Sequence, residues 1–89
     1  IVLWSAGQKS KELAKRLLQI KQNFRWVCTN PKKIGNQIYQ VEIEDYQNIP
    51  QFSDPKVIVP IAIQKYQILI NEFFTSINLV RNQDYFFFS

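Results

Sequence analysis

The first eighteen residues show two successive hydrophobic patterns. Residues 1–4 form a continuous apolar run bounded by small residues, which predicts a short strand buried on both faces. After the small-residue turn 5–7, leucine and alanine recur at helical spacing up to Leu18, and basic side chains fill most of the other positions. The pattern predicts a strand, a tight turn and an amphipathic helix, the opening unit of an open α/β sheet.

The rest of the chain also contains patterns typical of strands and of a helix. Apolar runs or alternating patterns predict further strands, and a wide apolar stripe predicts a second helix that packs on the core. Right-handed crossovers then give an α/β fold, a small Rossmann-like three-layer domain with a five-stranded, mostly parallel sheet in the order 3-2-1-4-5. The predicted strands are 24–28, 39–44, 56–60 and 84–89, and the second helix is 64–78.

Single residues refine these boundaries. We expect Gly35 or Asn36 to adopt a positive φ in a turn, and Asp45 to cap a short or 3₁₀-like helical turn that Pro50 limits. Pro60 lacks an N–H group, so it should lie at the carboxyl end of its strand. The alternation of Tyr39, Val41 and Ile43 favours a half-exposed strand at a sheet edge.

Length and composition restrict the classes of protein. The 89 residues are expected to form one domain, residues 1–89, and a chain that starts at Ile1 without methionine suggests a C-terminal fragment of a longer protein. The net charge of +4 comes from scattered basic residues, so nucleic acid is not expected as a partner. Neither a membrane span nor a signal peptide is evident, which favours a cytoplasmic protein without direct membrane insertion, although its parent could be membrane-attached.

Catalytic and metal-binding groups are scarce. The chain has no histidine, and its single cysteine, Cys28, excludes an internal disulfide and is expected to be a buried structural residue. Glu42 and Glu44 share one face of a predicted strand and could bind a metal. The outward face of an edge strand explains these carboxylates as well and is favoured, so no catalytic or metal site is predicted.

The turn after the first strand offers a candidate ligand site. A dinucleotide-binding turn has the pattern G-x-G-x-x-G, and the corresponding residues 5–10 keep only Gly7, with Ser5 and Ser10 at the other glycine positions. One interpretation is a phosphate or other anion on the helix N-terminus, assisted by Lys9 and Ser10. The alternative, which we favour on sequence alone, is a turn in which Gly7 merely fits the backbone.

The end of the second strand argues against ordinary NAD binding. NAD-binding domains usually carry an acidic residue there, whereas this chain has Cys28, Thr29 and Asn30. The loop 61–63 should lie beside the turn at the carboxyl edge of the sheet, where open α/β sheets bind ligands.

Several segments together resemble a known domain. They are similar to a small Rossmann-like domain at the carboxyl end of some bacterial family 2 glycosyltransferases, whose pattern contains W-G-A-G, C-D-N-P-x-K-I-G and a closing D-Y-F-F-F. More distantly, the layout is similar to the amino-terminal domain of bacterial sugar acetyltransferases, which binds nucleotide-linked sugars at the same turn. The segments are IVLWSAGQKSKELAKRLL, FRWVCTNPKKIGNQIYQVEIEDY, DPKVIVPIA and NQDYFFFS.

The resemblance implies particular positions. The phosphate turn, the segment after the second strand and the loop after the fourth strand each have matching residues. Serines at two glycine positions and Thr29 in place of aspartate depart from the pattern. With Ser10 from the turn itself, the candidate ligand-binding residues are Ser5, Ala6, Gly7, Lys9, Ser10, Thr29, Asn30 and Ala62.

Three functions follow as expectations. The resemblance implies a non-catalytic accessory domain of a bacterial glycosyltransferase that uses a nucleotide-sugar donor, with the catalytic domain upstream in the same chain. The alternative is a module that binds a nucleotide or nucleotide-sugar through the degenerate turn. An NAD-dependent oxidoreductase is the least favoured. A homodimer through the strand 39–43 or through the aromatic tail is a further possible partnership.

Overall fold

A computed structural model describes residues 1–87, with strands and helices in alternation. Phe88 and Ser89, at the end of the predicted last strand, lie outside the described residues. The elements are β1 (Val2–Trp4), α1 (Gln8–Gln19), β2 (Arg25–Cys28), β3 (Gln37–Ile38), β4 (Val41–Asp45), a 3₁₀ helix (Tyr46–Gln51), β5 (Val57–Val59), α2 (Gln64–Ser76) and β6 (Tyr85–Phe87).

The sheet has the order β3-β4-β2-β1-β5-β6. Five of its strands are parallel, in the order β4-β2-β1-β5-β6, which corresponds to the predicted order 3-2-1-4-5. Strand β3 is an additional strand, antiparallel to β4. The prediction of five strands and of a strand beginning at Tyr39 was wrong. Tyr39 and Gln40 have φ values of 52° and 67°, so they form a two-residue hairpin turn that lacks the usual glycine signal.

Helices cover both faces of the sheet, which gives the three predicted layers. Helix α1 packs through Ala14 on the face that carries Leu3, Trp26 and Ile43. Helix α2 and the 3₁₀ helix pack on the opposite face, which carries Val2, Trp4, Val27, Val57 and Val59. Because successive side chains of a strand point to opposite faces, β1 contributes to both clusters.

Helix α2 packs less completely than the sequence predicts. Ile70 and Phe74 are buried and Phe73 is partly buried, but Tyr66 and Leu69 are 45% and 60% exposed. The adjacent strands contain only three residues each, about 10 Å, whereas the 13-residue helix is about 20 Å long. The sheet is therefore too short to cover the first turns of α2, and their apolar side chains remain accessible.

Several other boundary predictions are confirmed, with two corrections. Strand β4 is not at the sheet edge, because β3 pairs with its outer side, and the 3₁₀ helix contains Pro50 instead of ending before it. The Asp45 carboxylate accepts a hydrogen bond from the N–H of Gln47 at 2.9 Å and caps the 3₁₀ helix. Gly35 has a φ of +90°, and Asn78 ends α2 with a φ of 66°. Cys28 is buried, as expected of a structural cysteine.

Ion pairs also join neighbouring strands. Arg25 donates two hydrogen bonds to Glu44, at 3.0 and 2.8 Å, so this glutamate is engaged within the sheet. At the amino edge, Lys56 lies 3.1 Å from the Asp84 carboxylate. The Val80 N–H group and then Lys56 lower the pKa of Asp84. Within residues 1–87, no group of three potential metal ligands converges, and no helix is long and apolar enough to cross a membrane.

Candidate functional site

The turn between β1 and α1 is held by buried and partly buried hydrogen bonds. Ser5 has a φ of 76°, so serine adopts here the conformation for which the dinucleotide-binding pattern uses glycine. Its N–H group donates to the Val27 carbonyl at 2.8 Å, and the Trp26 indole N–H donates to the Ser5 carbonyl at 2.6 Å. These two bonds from β2 offset the local strain and fix the turn at the carboxyl edge of the sheet.

Ser10 is part of the same arrangement. Its side chain is 1% exposed, and its hydroxyl donates to the Trp4 carbonyl at 3.0 Å. The Ser5 and Ser10 hydroxyl oxygens are 2.7 Å apart. Because the Ser10 proton is already donated to the Trp4 carbonyl, Ser5 is the donor and Ser10 the acceptor in the bond between the two hydroxyls. Both hydroxyl protons are therefore used to close the turn.

Gly7 stands apart from these bonds. It is exposed, with a φ of −79° and a ψ of −174°, which any L-residue adopts. A Cβ built on Gly7 meets no atom within 4 Å. The φ value therefore does not require glycine, but glycine is favoured at a helix N-cap, so both interpretations of Gly7 stay open. The space that a side chain would occupy is open for a ligand.

Two helices begin beside this space. Within residues 1–87, no side chain caps α1 at Gly7 or α2 at Ile63, and neither first turn contains an acidic residue. Each start presents backbone N–H groups and the positive end of a helix dipole. The loop before α2 is held in place because the Gln67 side-chain amide donates to the Ile61 carbonyl at 2.6 Å.

A cleft of about 430 Å³ separates the two helix starts and brings most of the predicted residues together. It lies at the topological switch point, because β1 leads to β2 on one side and β5 leads to β6 on the other. Ala6 is buried beneath the cleft and does not line it. The predicted residues that line it are Ser5, Gly7, Lys9, Ser10 and Ala62.

The two predicted residues after β2 are separated. Thr29 lines an apolar groove of about 300 Å³ with Trp4 and Leu69, and this groove shares Ser5 and Tyr66 with the cleft. The Asn30 side chain instead accepts a hydrogen bond from the Lys32 N–H at 3.0 Å within its own loop. Thr29 thus belongs to the candidate site, whereas Asn30 shapes the loop that follows.

Sequence reasoning missed three contributors. The ammonium of Lys33 donates to the Ala6 carbonyl at 3.2 Å, which brings a second lysine to the turn that precedes Lys9. Lys33 stands at the lysine position of the C-D-N-P-x-K-I-G pattern, so the resemblance could have identified this residue. Tyr66 and Leu69 were assigned to the core because a helical stripe does not reveal where the sheet ends.

Solved structures with the same fold were found. The crystal structure of RSP, a Rex-family repressor, has a TM-score of 0.70 and 18% identity, and the match covers 99% of this chain and 44% of that one. The structure of RSP in complex with β-NADH has a TM-score of 0.67 and 18% identity, and the match covers 99% of this chain and 44% of that one. The structure of RSP in complex with β-NAD+ and operator DNA has a TM-score of 0.65 and 16% identity, and the match covers 98% of this chain and 48% of that one.

These similarities establish the fold. The chain spans less than half the length of the structures it matches. One of them contains operator DNA, and this finding conflicts with the prediction that nucleic acid is not a partner.

No family profile and no curated protein matches the chain. The resemblance to glycosyltransferases and sugar acetyltransferases is therefore unsupported by the comparisons. The chain has the Rossmann-like α/β fold that it shares with these repressor structures.

Proposed function

We propose that this domain binds a nucleotide, with a phosphate group held at the turn between β1 and α1. The observation that carries the proposal is the cleft between two uncapped helix N-termini, in which exposed Gly7 leaves room for close approach. Free N–H groups and the positive ends of two helix dipoles favour an anion there.

The lysines strengthen this preference. Lys9 lines the cleft, and the Lys33 ammonium, which does not line it, donates to the Ala6 carbonyl of the turn. The side chains that line the cleft include no carboxylate, so a bound phosphate meets no repulsive charge from them. They also include no histidine or thiol, and we therefore propose binding and assign no reaction to the cleft.

The apolar groove supplies a place for the base. It adjoins the cleft through Ser5 and Tyr66, and Trp4 and Leu69 contribute its apolar wall. A flat heterocyclic base gains free energy by burying its faces against such side chains. The phosphate cleft and the groove together complement the two parts of a nucleotide, its anionic phosphate and its aromatic base.

The choice of nucleotide rests on two opposing facts. Structures with this fold contain β-NADH and β-NAD+, which favours these dinucleotides as first probes. The residues directly after β2 are Thr29 and Asn30, neither of which provides the usual carboxylate for a ribose. The role of an accessory domain in a glycosyltransferase stays a prediction from resemblance, since no observation of the structure favours it.

Isothermal titration of the 89-residue chain with ADP, UDP, GDP, NAD+ and NADH tests the proposal. We expect saturable binding of at least one nucleotide, weakened by added salt because the phosphate contacts are ionic. Lys9→Ala should weaken that binding several-fold. Lys21→Ala removes the same charge at the other end of α1 and should leave the affinity unchanged. Absence of saturable binding across the series would reject the proposed function.

A further inference from the structure

Helix α2 borders a second pocket, whose lining is polar. Its volume is about 550 Å³, and it lies on a different face of α2 from the apolar groove. An apolar ligand is unsuited to such a pocket, because it would leave amides and charges without partners. The polar side chains that line the pocket are Gln64, Gln67, Asn71, Glu72 and Arg81.

Two amides in this pocket have fixed orientations. The Gln67 side-chain NH₂ group donates to the Ile61 carbonyl at 2.6 Å, which leaves the Gln67 side-chain oxygen as an acceptor. The Asn71 side-chain oxygen accepts a hydrogen bond from the hydroxyl of Tyr85, which leaves its NH₂ group as a donor. Tyr85 is 1% exposed, so the partner that orients Asn71 is itself held in the core. The pocket therefore has one oriented acceptor and one oriented donor before a ligand arrives.

Two opposite charges lie in the same pocket without pairing. Among residues 1–87, the ion pairs are made by other side chains, and neither Glu72 nor Arg81 takes part in one. The guanidinium carbon of Arg81 lies 5.0 Å from the centre of the Phe87 ring, which restrains the arginine beside β6. The Glu72 carboxylate and the Arg81 guanidinium are therefore both left to contact a ligand.

These four groups form two sets of opposite chemistry. The Arg81 guanidinium and the Asn71 NH₂ group are donors, and together they suit a carboxylate. The Glu72 carboxylate and the Gln67 side-chain oxygen are acceptors, and together they suit an ammonium group. A ligand with a single charge would satisfy one set and be repelled by the like charge of the other. A zwitterion satisfies both sets at once.

The rest of the lining restricts the zwitterion further. A free α-amino acid carries its ammonium and carboxylate groups on one carbon atom, and its side chain then meets the remaining lining residues, Ala62, Gln64 and Ile68, none of which is charged. We propose that the polar pocket binds a free α-amino acid with an uncharged side chain. This inference does not depend on the proposed function, because none of the four recognising groups belongs to the phosphate cleft.

The test is a titration of the 89-residue chain with L-glutamine, L-serine and L-leucine, without nucleotide, followed by proton–nitrogen correlation NMR. With at least one of them we expect saturable shifts of the side-chain amide signals of Gln67 and Asn71, with a Kd on the order of 1 mM because the pocket is open to solvent. The amide of that amino acid lacks the carboxylate, and its N-acetyl form lacks the ammonium. Each analogue should bind about tenfold more weakly.

Variants of the two charged residues test the assignment directly. Glu72→Gln and Arg81→Gln each remove one charge, and each should weaken amino acid binding about tenfold. Both side chains are exposed, so the variants should remain folded, which the same spectra report. Glu42→Gln and Arg16→Gln remove exposed charges outside the pocket and should leave the affinity unchanged.

Three results would overturn the inference. They are the absence of saturable shifts with all three amino acids, equal affinity for an amino acid and its two analogues, and unchanged affinity in both pocket variants. Because the titrations contain no nucleotide, each of these results leaves the proposed function to be decided by its own experiment.

Discussion

The two glycines of the chain lie in contrasting surroundings. Gly35 has a φ of +90°, a conformation that L-residues rarely adopt, and its N–H donates to the Ile43 carbonyl at 2.8 Å. Gly7 has a φ of −79° and starts α1 with ordinary extended geometry. Open space surrounds the Cβ position of both, so only the backbone conformation distinguishes them.

The difference separates two uses of glycine. At Gly35 the fold itself requires the residue, because the loop turns there to meet β4. At Gly7 the neighbouring side chains Trp26 and Ser10 already fix the turn, and Ser5 takes the left-handed conformation. At Gly7, the N-cap of α1, glycine is favoured but not required, and the open space beside it is where we propose that a phosphate binds.

Removal of the bond between Trp26 and the turn should have the largest effect on stability. Trp26→Phe deletes the donor to the Ser5 carbonyl and part of a fully buried ring, so we expect a loss of about 3 kcal/mol in the free energy of unfolding. Urea denaturation measures it. Trp4→Phe removes the same ring atoms on the opposite face without touching Ser5 and should cost less. Equal losses would show that the bond does not hold the turn.

Substitution of Gly35 should have the next largest effect. Gly35→Ala places a Cβ on a backbone with a φ of +90°, and we expect a loss of about 1–2 kcal/mol. In a domain of this size each kcal/mol lowers the Tm by about 4–8 °C. Gly35→Asn should lose less, because asparagine tolerates positive φ better. A Tm unchanged by Gly35→Ala would contradict the assigned use of this glycine.

Loss of the Ser10 hydroxyl should have a smaller effect. Ser10→Ala leaves the Trp4 carbonyl without its buried donor and should lower stability by about 1 kcal/mol. Ser76 provides a matched control, since its hydroxyl also donates to a backbone carbonyl, that of Phe73, but is exposed. Ser76→Ala should therefore be nearly neutral. If the two variants lose the same stability, the buried position of the Ser10 hydrogen bond does not increase its contribution to stability.

Gly7→Ala should have the smallest effect on stability. A less flexible unfolded chain favours alanine, whereas alanine is the poorer residue at a helix start, so the two effects nearly cancel. We expect a change within about 0.5 kcal/mol in thermal or urea denaturation. A loss as large as that of Gly35→Ala would mean that the turn needs glycine and would remove the contrast between the two positions.

Much of the fold was predictable from local patterns. The apolar runs that became β1, β2 and β5 and the helical stripes located the layers, and handedness rules fixed the order of the parallel strands. The hairpin at Tyr39 was not predictable, because its two positive φ values occur in residues without a turn preference. The exposure of Tyr66 depends on the length of neighbouring strands, which the helix sequence does not encode.

The position of the candidate site could be predicted from the sequence better than the contacts of its side chains. Gly7, Lys9 and Ala62 follow strand ends, and strand ends of a parallel sheet converge at one edge. The role of Ser10 was not visible, because the partner of its hydroxyl, the Trp4 carbonyl, is a backbone group. The contact of Lys33 with the turn depends on a loop that crosses between strands.

We propose that a nucleotide phosphate binds in the space beside Gly7. The most direct measurement is the affinity of Gly7→Val for the nucleotide of the series ADP, UDP, GDP, NAD+ and NADH that the natural chain binds most tightly, with unfolding measured on the same sample. We predict a loss of at least tenfold in affinity while the Tm stays within a few degrees of that of the natural chain. Unchanged affinity in a folded Gly7→Val variant would contradict the claim.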